Sequence, residues 1–187
     1  MTITIVVETG AVVAGANSYI ALADWKLWAD ARGYDYSSSG DEIIKAALVR
    51  ATAYLNDLPW KGFKTDRSNP LVWPRYGDEG PGNYINALRY PMTYWTGVLD
   101  RDGYWVGIAE VPKEVINAQC EAAWIILGGA ELEPSLERGG MIASESVSGA
   151  VAVTYFPGAS AETRFVAIEK RISGLLKTKG TFRILRA

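Results

Sequence analysis

Apolar residues recur at helical spacing in four stretches of the chain, and these set the expected architecture. The widest face lies within 111–129, where Ile116, Cys120, Ala123 and Leu127 form one stripe and Val115, Ala122 and Ile126 an adjacent one. Such a face implies partners on more than one side, and the small residues Ala118, Ala122 and Ala123 let other helices approach closely. Pro112 suits the first turn and Gly128-Gly129 supplies a left-handed stop. A second helix opens at a Ser39/Glu42 capping box and runs to Asn56. Ile44, Leu48, Ala51 and Leu55 are its core stripe, and Glu42, Lys45, Arg50, Thr52 and Asn56 are expected to meet solvent. An earlier helix starts from the polar run Ala16-Asn17-Ser18-Tyr19, turns Leu22, Trp25, Trp28 and Ala29 inward, and ends at Arg32-Gly33. The fourth, capped by Ser160, carries Phe165, Ile168, Ile172, Leu175 and Leu176 on one side.

Elsewhere the pattern changes. Residues 142–156 alternate at period two, with Val147, Val151, Val153 and Tyr155 on one side, which predicts a strand or a hairpin hinged at Gly149. Between 58 and 110, aromatic residues are separated by prolines and glycines, and Asp102-Gly103 reads as a tight hairpin turn between Val98-Leu99 and Tyr104-Trp105-Val106. The first fifteen residues hold the β-rich string TITIVV and then small residues, an extended arm with little core of its own. The expected fold is mainly α. A small helical bundle spans 16–140 with an irregular aromatic-rich loop and hairpin insertion at 58–110, preceded by the arm 1–15 and followed over 141–187 by a docking arm of β-strand plus helix.

Composition narrows the chemistry. The 187 residues include no histidine, which removes imidazole-based triads, most zinc and iron sites and the usual general base near neutral pH. Paired carboxylates could still support a hydrolase, but no compact acidic pair stands out, so neither an enzyme nor a cofactor or metal is expected. Asp100 and Asp102 before Gly103 carry part of a calcium-loop pattern, yet Val98 and Ala109 at its first and twelfth ligand positions rule it out. The single cysteine, Cys120, falls on the apolar helix face and reads as a small core residue. No apolar run reaches the length of a membrane span, and the expectation is a soluble, unexported chain. Charge is uneven: up to Thr163 there are 12 Lys or Arg against 20 Asp or Glu, whereas 164–187 holds 7 against 1. An acidic body with a basic tail suggests a tail that meets an acidic partner or nucleic acid.

Cations and rings interleave in the aromatic region, at Trp60-Lys61-Gly62-Phe63-Lys64, Trp73-Pro74-Arg75-Tyr76, Arg89-Tyr90 and Arg101 near Tyr104 and Trp105. Single-strand binding uses such pairs, with Trp60, Phe63, Trp73 and Tyr76 as stacking surfaces and Lys61, Lys64 and Arg75 as phosphate contacts. Packing of these loops over the helices or against other subunits is the competing reading, and the acidic body favours it.

Several of these segments, in order, resemble the DnaT-like single-stranded-DNA-binding family of tailed bacteriophages: Ala16-Asn17-Ser18-Tyr19, Ala31-Arg32-Gly33, the 45–55 helix, Trp60-Lys61-Gly62-Phe63, Leu71-Val72-Trp73-Pro74-Arg75, Asp102-Gly103 and Val111-Pro112-Lys113-Glu114-Val115. The 144–155 block is similar to the C-terminal segment of phage head-tail connector adaptors. Those adaptors are helical bundles that assemble as rings of about a dozen copies below the portal. The connector resemblance implies a structural virion protein of the phage neck, assembled in the host cytoplasm. Its expected partners are portal protein, neighbouring copies of itself and a tail or tail-completion protein, with DNA passing through the channel without specific binding and no membrane. On that reading Val147, Val151, Val153, Tyr155, Phe156, Arg164, Phe165, Ile168, Arg171 and Ile172 form the portal or subunit interface, and removing 141–187 leaves a folded monomer. The longer 76–100 connection and the final KTKGTFRILRA depart from the resemblance. A single-stranded-DNA-binding replication protein is the alternative function.

Overall fold

The computed structural model describes residues 2–77, 98–132, 142–147, 151–155 and 165–177. Four helices are present among them: α1 (Leu22–Asp30), α2 (Asp41–Asn56), α3 (Lys113–Leu127) and α4 (Val166–Ile172). Two short antiparallel ribbons accompany them, β1 (Phe63–Lys64) with β2 (Arg75–Tyr76), and β3 (Ile142–Val147) with β4 (Val151–Tyr155). The protein is therefore mainly α.

α3 is the central element, packed against α2 and α4 and touched by α1. Its small residues permit this. Ala118, Ala122 and Ala123 are fully buried, and against them α2 buries Ile44, Leu48, Ala51 and Leu55 completely. Pro112 stands just outside the helix as its N-cap, and Gly129, at φ 85°, turns the chain away after it. Burial pushes the Cys120 thiol up to about 12, as befits a core residue.

The core is less apolar than the periodicity implies. Gln119 of α3 is fully buried at its centre. Its Oε1 accepts the Tyr19 N–H at 2.9 Å, while its Nε2 donates to the hydroxyls of Ser18 and Thr52 at 2.8 and 2.7 Å and to the Leu48 carbonyl at 3.1 Å. Thr52, expected at the surface, is buried because its hydroxyl has these internal partners. Asn56 also turns inward, its Oδ1 accepting the Val72 N–H. One amide thus ties α3, α2 and the segment before α1 together, and a buried amide is tolerable only when satisfied in this way.

The N-terminal residues dock on their own chain rather than standing away as an arm. Val7 forms a parallel bridge with Ser18, and Asn17 accepts the Val6 N–H and donates to the Thr4 carbonyl. The Ala16–Tyr19 run is therefore part of this knot, and α1 begins later, at Leu22. Val12 adopts φ 58°, an unusual conformation for a β-branched residue. The buried Glu8 carboxylate holds it by accepting the N–H groups of Gly10, Val12 and Val13 at 2.7, 3.0 and 2.8 Å. The expected capping box is also absent. Gly40 is the N-cap of α2, and the Glu42 carboxylate instead accepts the Ile3 N–H at 2.6 Å and pairs with Lys45.

The C-terminal helix is the main architectural correction. α4 begins at Val166, and Ser160 lies outside the described residues. Ile168, Ile172 and Leu175 are essentially inaccessible within the chain's own core, so Ile168 and Ile172 cannot form a portal or subunit surface. Arg171 clamps the helix by an ion pair with Glu121 of α3 at 2.8 Å, and Phe165 meets the Tyr54 ring edge-on. An apolar stripe declares only that a helix needs a partner, and here that partner is α3. Of the strand or hairpin expected over 142–156, the antiparallel pair β3–β4 is what forms, with Val147 opposite Val151 and Val153 opposite Glu145. Phe156 and Arg164 lie outside the described residues, as do 78–97 and 178–187.

Candidate functional site

The aromatic region divides at the β1–β2 ribbon. Trp60 and Trp73 are only 3% and 0% exposed and meet edge-to-face at 5.7 Å. The Trp60 indole N–H donates to the Leu55 carbonyl at 2.6 Å, anchoring the ribbon on the end of α2. Arg75 is also buried. Its Nε, Nη1 and Nη2 donate to the carbonyls of Lys61, Val72 and Gly62 at 2.8, 3.1 and 2.6 Å. Trp60 and Trp73 therefore have no open face for a base, and the Arg75 guanidinium is spent on holding the turn, not on phosphate. The cause is local: Gly62, at φ 67°, comes so close to Tyr76 that a Cβ would lie 2.0 Å from its carbonyl oxygen, drawing the 60–62 segment under the Arg75 fork.

The remaining candidates do reach the surface. Phe63 is 50% exposed and pairs across the ribbon with half-buried Tyr76, ring centroids 5.6 Å apart and tilted by 32°. The Lys177 ammonium stands 6.0 Å from the Phe63 ring centroid. It is brought there by backbone pairing of the segment after α4 with the approach to β1: Lys61 N–H donates to Leu175 O at 2.9 Å, Lys177 N–H to Pro59 O at 2.7 Å, and Trp60 bridges Leu176. Lys64 is half-buried, its ammonium donating to the Asn69 carbonyl, and Lys61 likewise donates to Gly174 O.

Beside this ribbon is the 98–106 hairpin, formed as the Asp102-Gly103 turn predicts. Val106 N–H donates to Val98 O at 2.9 Å, and the Asp100 carboxylate accepts the N–H groups of Asp102 and Tyr104 at 2.9 and 2.8 Å. Buried Val98 contacts the ribbon at Gly62. Tyr104 and Trp105 are 73% and 55% exposed, and Arg101 is exposed at the turn. The turn sits tightly on the segment after α4, where a Cβ on Gly174 would lie 2.6 Å from the Arg101 backbone nitrogen. Gly174 therefore joins three cation-bearing segments at one point.

Accessible rings with cations beside them are thus carried on two elements, Phe63 and Tyr76 with Lys177 on the ribbon and Tyr104 and Trp105 with Arg101 on the hairpin, which meet at Gly62–Val98 and, through the segment after α4, at Gly174–Arg101. Tyr104, Trp105 and Arg101 were visible in the sequence as an interleaved group, and a hairpin turn that lifts its flanking residues outward was the signal for assigning them. Lys177 had no such signal, since its place depends on pairing between segments more than a hundred residues apart. Among the described residues no cluster of three potential metal ligands occurs, and no helix is long and apolar enough to cross a membrane.

A family model described as "Putative DnaT-like ssDNA binding protein" matches the chain over residues 3–91 and 84–187. No curated protein and no solved structure matches it. The family match overturns the expectation of a structural virion protein of the head-tail connector, because it points to single-stranded DNA and replication.

Proposed function

The chain belongs to the DnaT-like ssDNA-binding protein family, and from this premise we propose that it binds single-stranded DNA on the surface made by the β1–β2 ribbon and the 98–106 hairpin. The observation that carries the reading is the solvent-reaching Phe63–Tyr76 pair with the Lys177 ammonium 6.0 Å from the Phe63 ring centroid, and the exposed rings of Tyr104 and Trp105 on the hairpin that packs on the ribbon through Val98. Each base has a π-face, so stacking on these rings tolerates any sequence, and the alternating cations follow the backbone. The acidic balance of the body leaves the strand few other places to settle, which focuses it on this basic patch.

The residues act in two ways. Phe63, Tyr76, Tyr104 and Trp105 offer stacking area, while exposed Arg101 and Lys177 provide charge at its border. Lys64, opposite Arg75 on the ribbon's other face with its ammonium held by the Asn69 carbonyl, belongs with the holding residues. Trp60, Trp73 and Arg75 contribute indirectly, by holding the ribbon in shape. The test is fluorescence anisotropy with a labelled oligothymidine. Phe63→Ala and Trp105→Ala should each weaken binding by a factor of about 5 to 150, the range of one lost base stack of roughly 1–3 kcal/mol, with the circular dichroism spectrum unchanged. Unaltered affinity in both variants would refute the assignment of this surface.

A further inference from the structure

We infer that the strand-binding surface continues past the ribbon, along the end of α4, to a second aromatic cluster at Trp28, Tyr34 and Trp124, which serves as a further stacking subsite for single-stranded DNA. This rests on the single-strand reading above. Tyr34 and Trp124 are stacked, centroids 4.4 Å apart at 8°, and Trp28 meets Tyr34 edge-on at 5.6 Å. The Arg32 guanidinium lies 4.0 Å from the Trp28 ring centroid. All three rings are half-buried, unlike the enclosed Trp25 and Trp73, and Arg32 is exposed. The Arg32 Nη1 donates to the Trp28 carbonyl at 3.1 Å, and no salt bridge among the described residues engages the guanidinium. A cation on a partly open aromatic face, its charge not neutralised by a carboxylate, is the combination from which sequence-tolerant stacking platforms are built.

The two clusters are physically joined. The Tyr34 hydroxyl donates to Glu121 Oε1 at 3.3 Å, and Arg171 pairs with Oε2 of the same carboxylate at 2.8 Å. Arg171 lies in the last turn of α4, three residues before Gly174, against which Arg101 of the hairpin and Lys61 are seated. Cations thus recur from Arg32 through Arg171 to Arg101 and Lys177. Glu121, the acid in the middle, is itself paired and buried. Asp35, beside Tyr34, has its carboxylate occupied by the Ser37 N–H at 3.0 Å.

The experiment measures binding of oligothymidines of about 5 and about 20 nucleotides, lengths that bracket the site sizes of single-strand binders. Arg32→Glu should weaken the longer oligonucleotide about tenfold and the shorter by less than about twofold, because the short strand is held by the ribbon alone. Arg50→Glu, an equal charge change on α2 beside Ile126 and Leu132 and outside the track, should leave both affinities within about twofold. Phe63→Ala should weaken both lengths. If Phe63→Ala weakens both while Arg32→Glu affects the longer strand no more than Arg50→Glu does, the extension is wrong and the ribbon reading stands. If Phe63→Ala changes neither length, or wild type binds neither, the ribbon reading itself falls and the extension with it.

Discussion

The two sides of the β1–β2 ribbon are made from the same residue types and do opposite things. On one side Trp60, Trp73 and Arg75 are buried, and Trp60 and Arg75 are hydrogen-bonded to the chain's own carbonyls. On the other, Phe63 of β1 and Tyr76 of β2, from the same sequence motifs, reach solvent with Lys177 beside them. An aromatic next to a cation is therefore not a ligand-binding signal by itself. What decides is whether the cation's donors are already satisfied inside the protein. Arg75 gives all three of its nitrogens to carbonyls, whereas Arg32 gives one to the Trp28 carbonyl and lies over the Trp28 ring, and Lys177 lies over that of Phe63.

This contrast can be broken by substitution. The largest effect belongs to the buried side: Trp73→Ala should destabilise the fold by about 3–5 kcal/mol, seen as a large drop in the denaturant midpoint, since it empties a fully enclosed site. Any loss of DNA binding in that variant should track unfolding. A comparable loss of about 2–5 kcal/mol is expected for Ile172→Ala, and removal of 141–187 should give a chain that exposes the α3 face and aggregates, in place of a folded monomer. Gly174→Ala should cost about 1–3 kcal/mol through overpacking against Arg101, and by shifting the hairpin it should weaken oligonucleotide binding even at temperatures where the protein is folded. Phe63→Ala, on the open side, should alter stability by only about 0.5 kcal/mol while reducing affinity.

At neutral pH the Cys120 proton should have the smallest effect. Its folded pKa, about 12, lies above the ordinary thiol value, so the folded state holds the proton more tightly. The associated stability is fully present below about pH 9 and is lost as pH rises toward 12. Cys120 should accordingly resist thiol reagents at pH 8 until denaturant is added, and rapid labelling of the native protein would contradict its placement in the core.

Much of the helical framework was legible from sequence because its stripes are wholly aliphatic, as in Ile44, Leu48, Ala51 and Leu55. Gln119 was not legible as the core's organising residue. A polar residue among apolar ones says nothing of its partners, which come here from Ser18, Leu48 and Thr52. The amphipathic character of α4 was plain, but amphipathicity does not reveal whether the covering surface belongs to the same chain. For the candidate site, the aromatic and basic residues of 60–76 were legible as a group, while their division into buried and solvent-reaching residues depends on the ribbon's pleat and on Gly62. Lys177 joins it only through the backbone pairing of 175–177 with 59–61, and Arg101 only through the close approach at Gly174.

The most direct test of the central claim is ultraviolet cross-linking of the protein to oligothymidine, followed by mapping of the modified peptides. The account predicts adducts on Phe63 or Tyr76 and on Tyr104 or Trp105, diminishing with salt as expected for a strand held partly by phosphate contacts. No adduct, or adducts confined to segments other than the ribbon and hairpin, would contradict it.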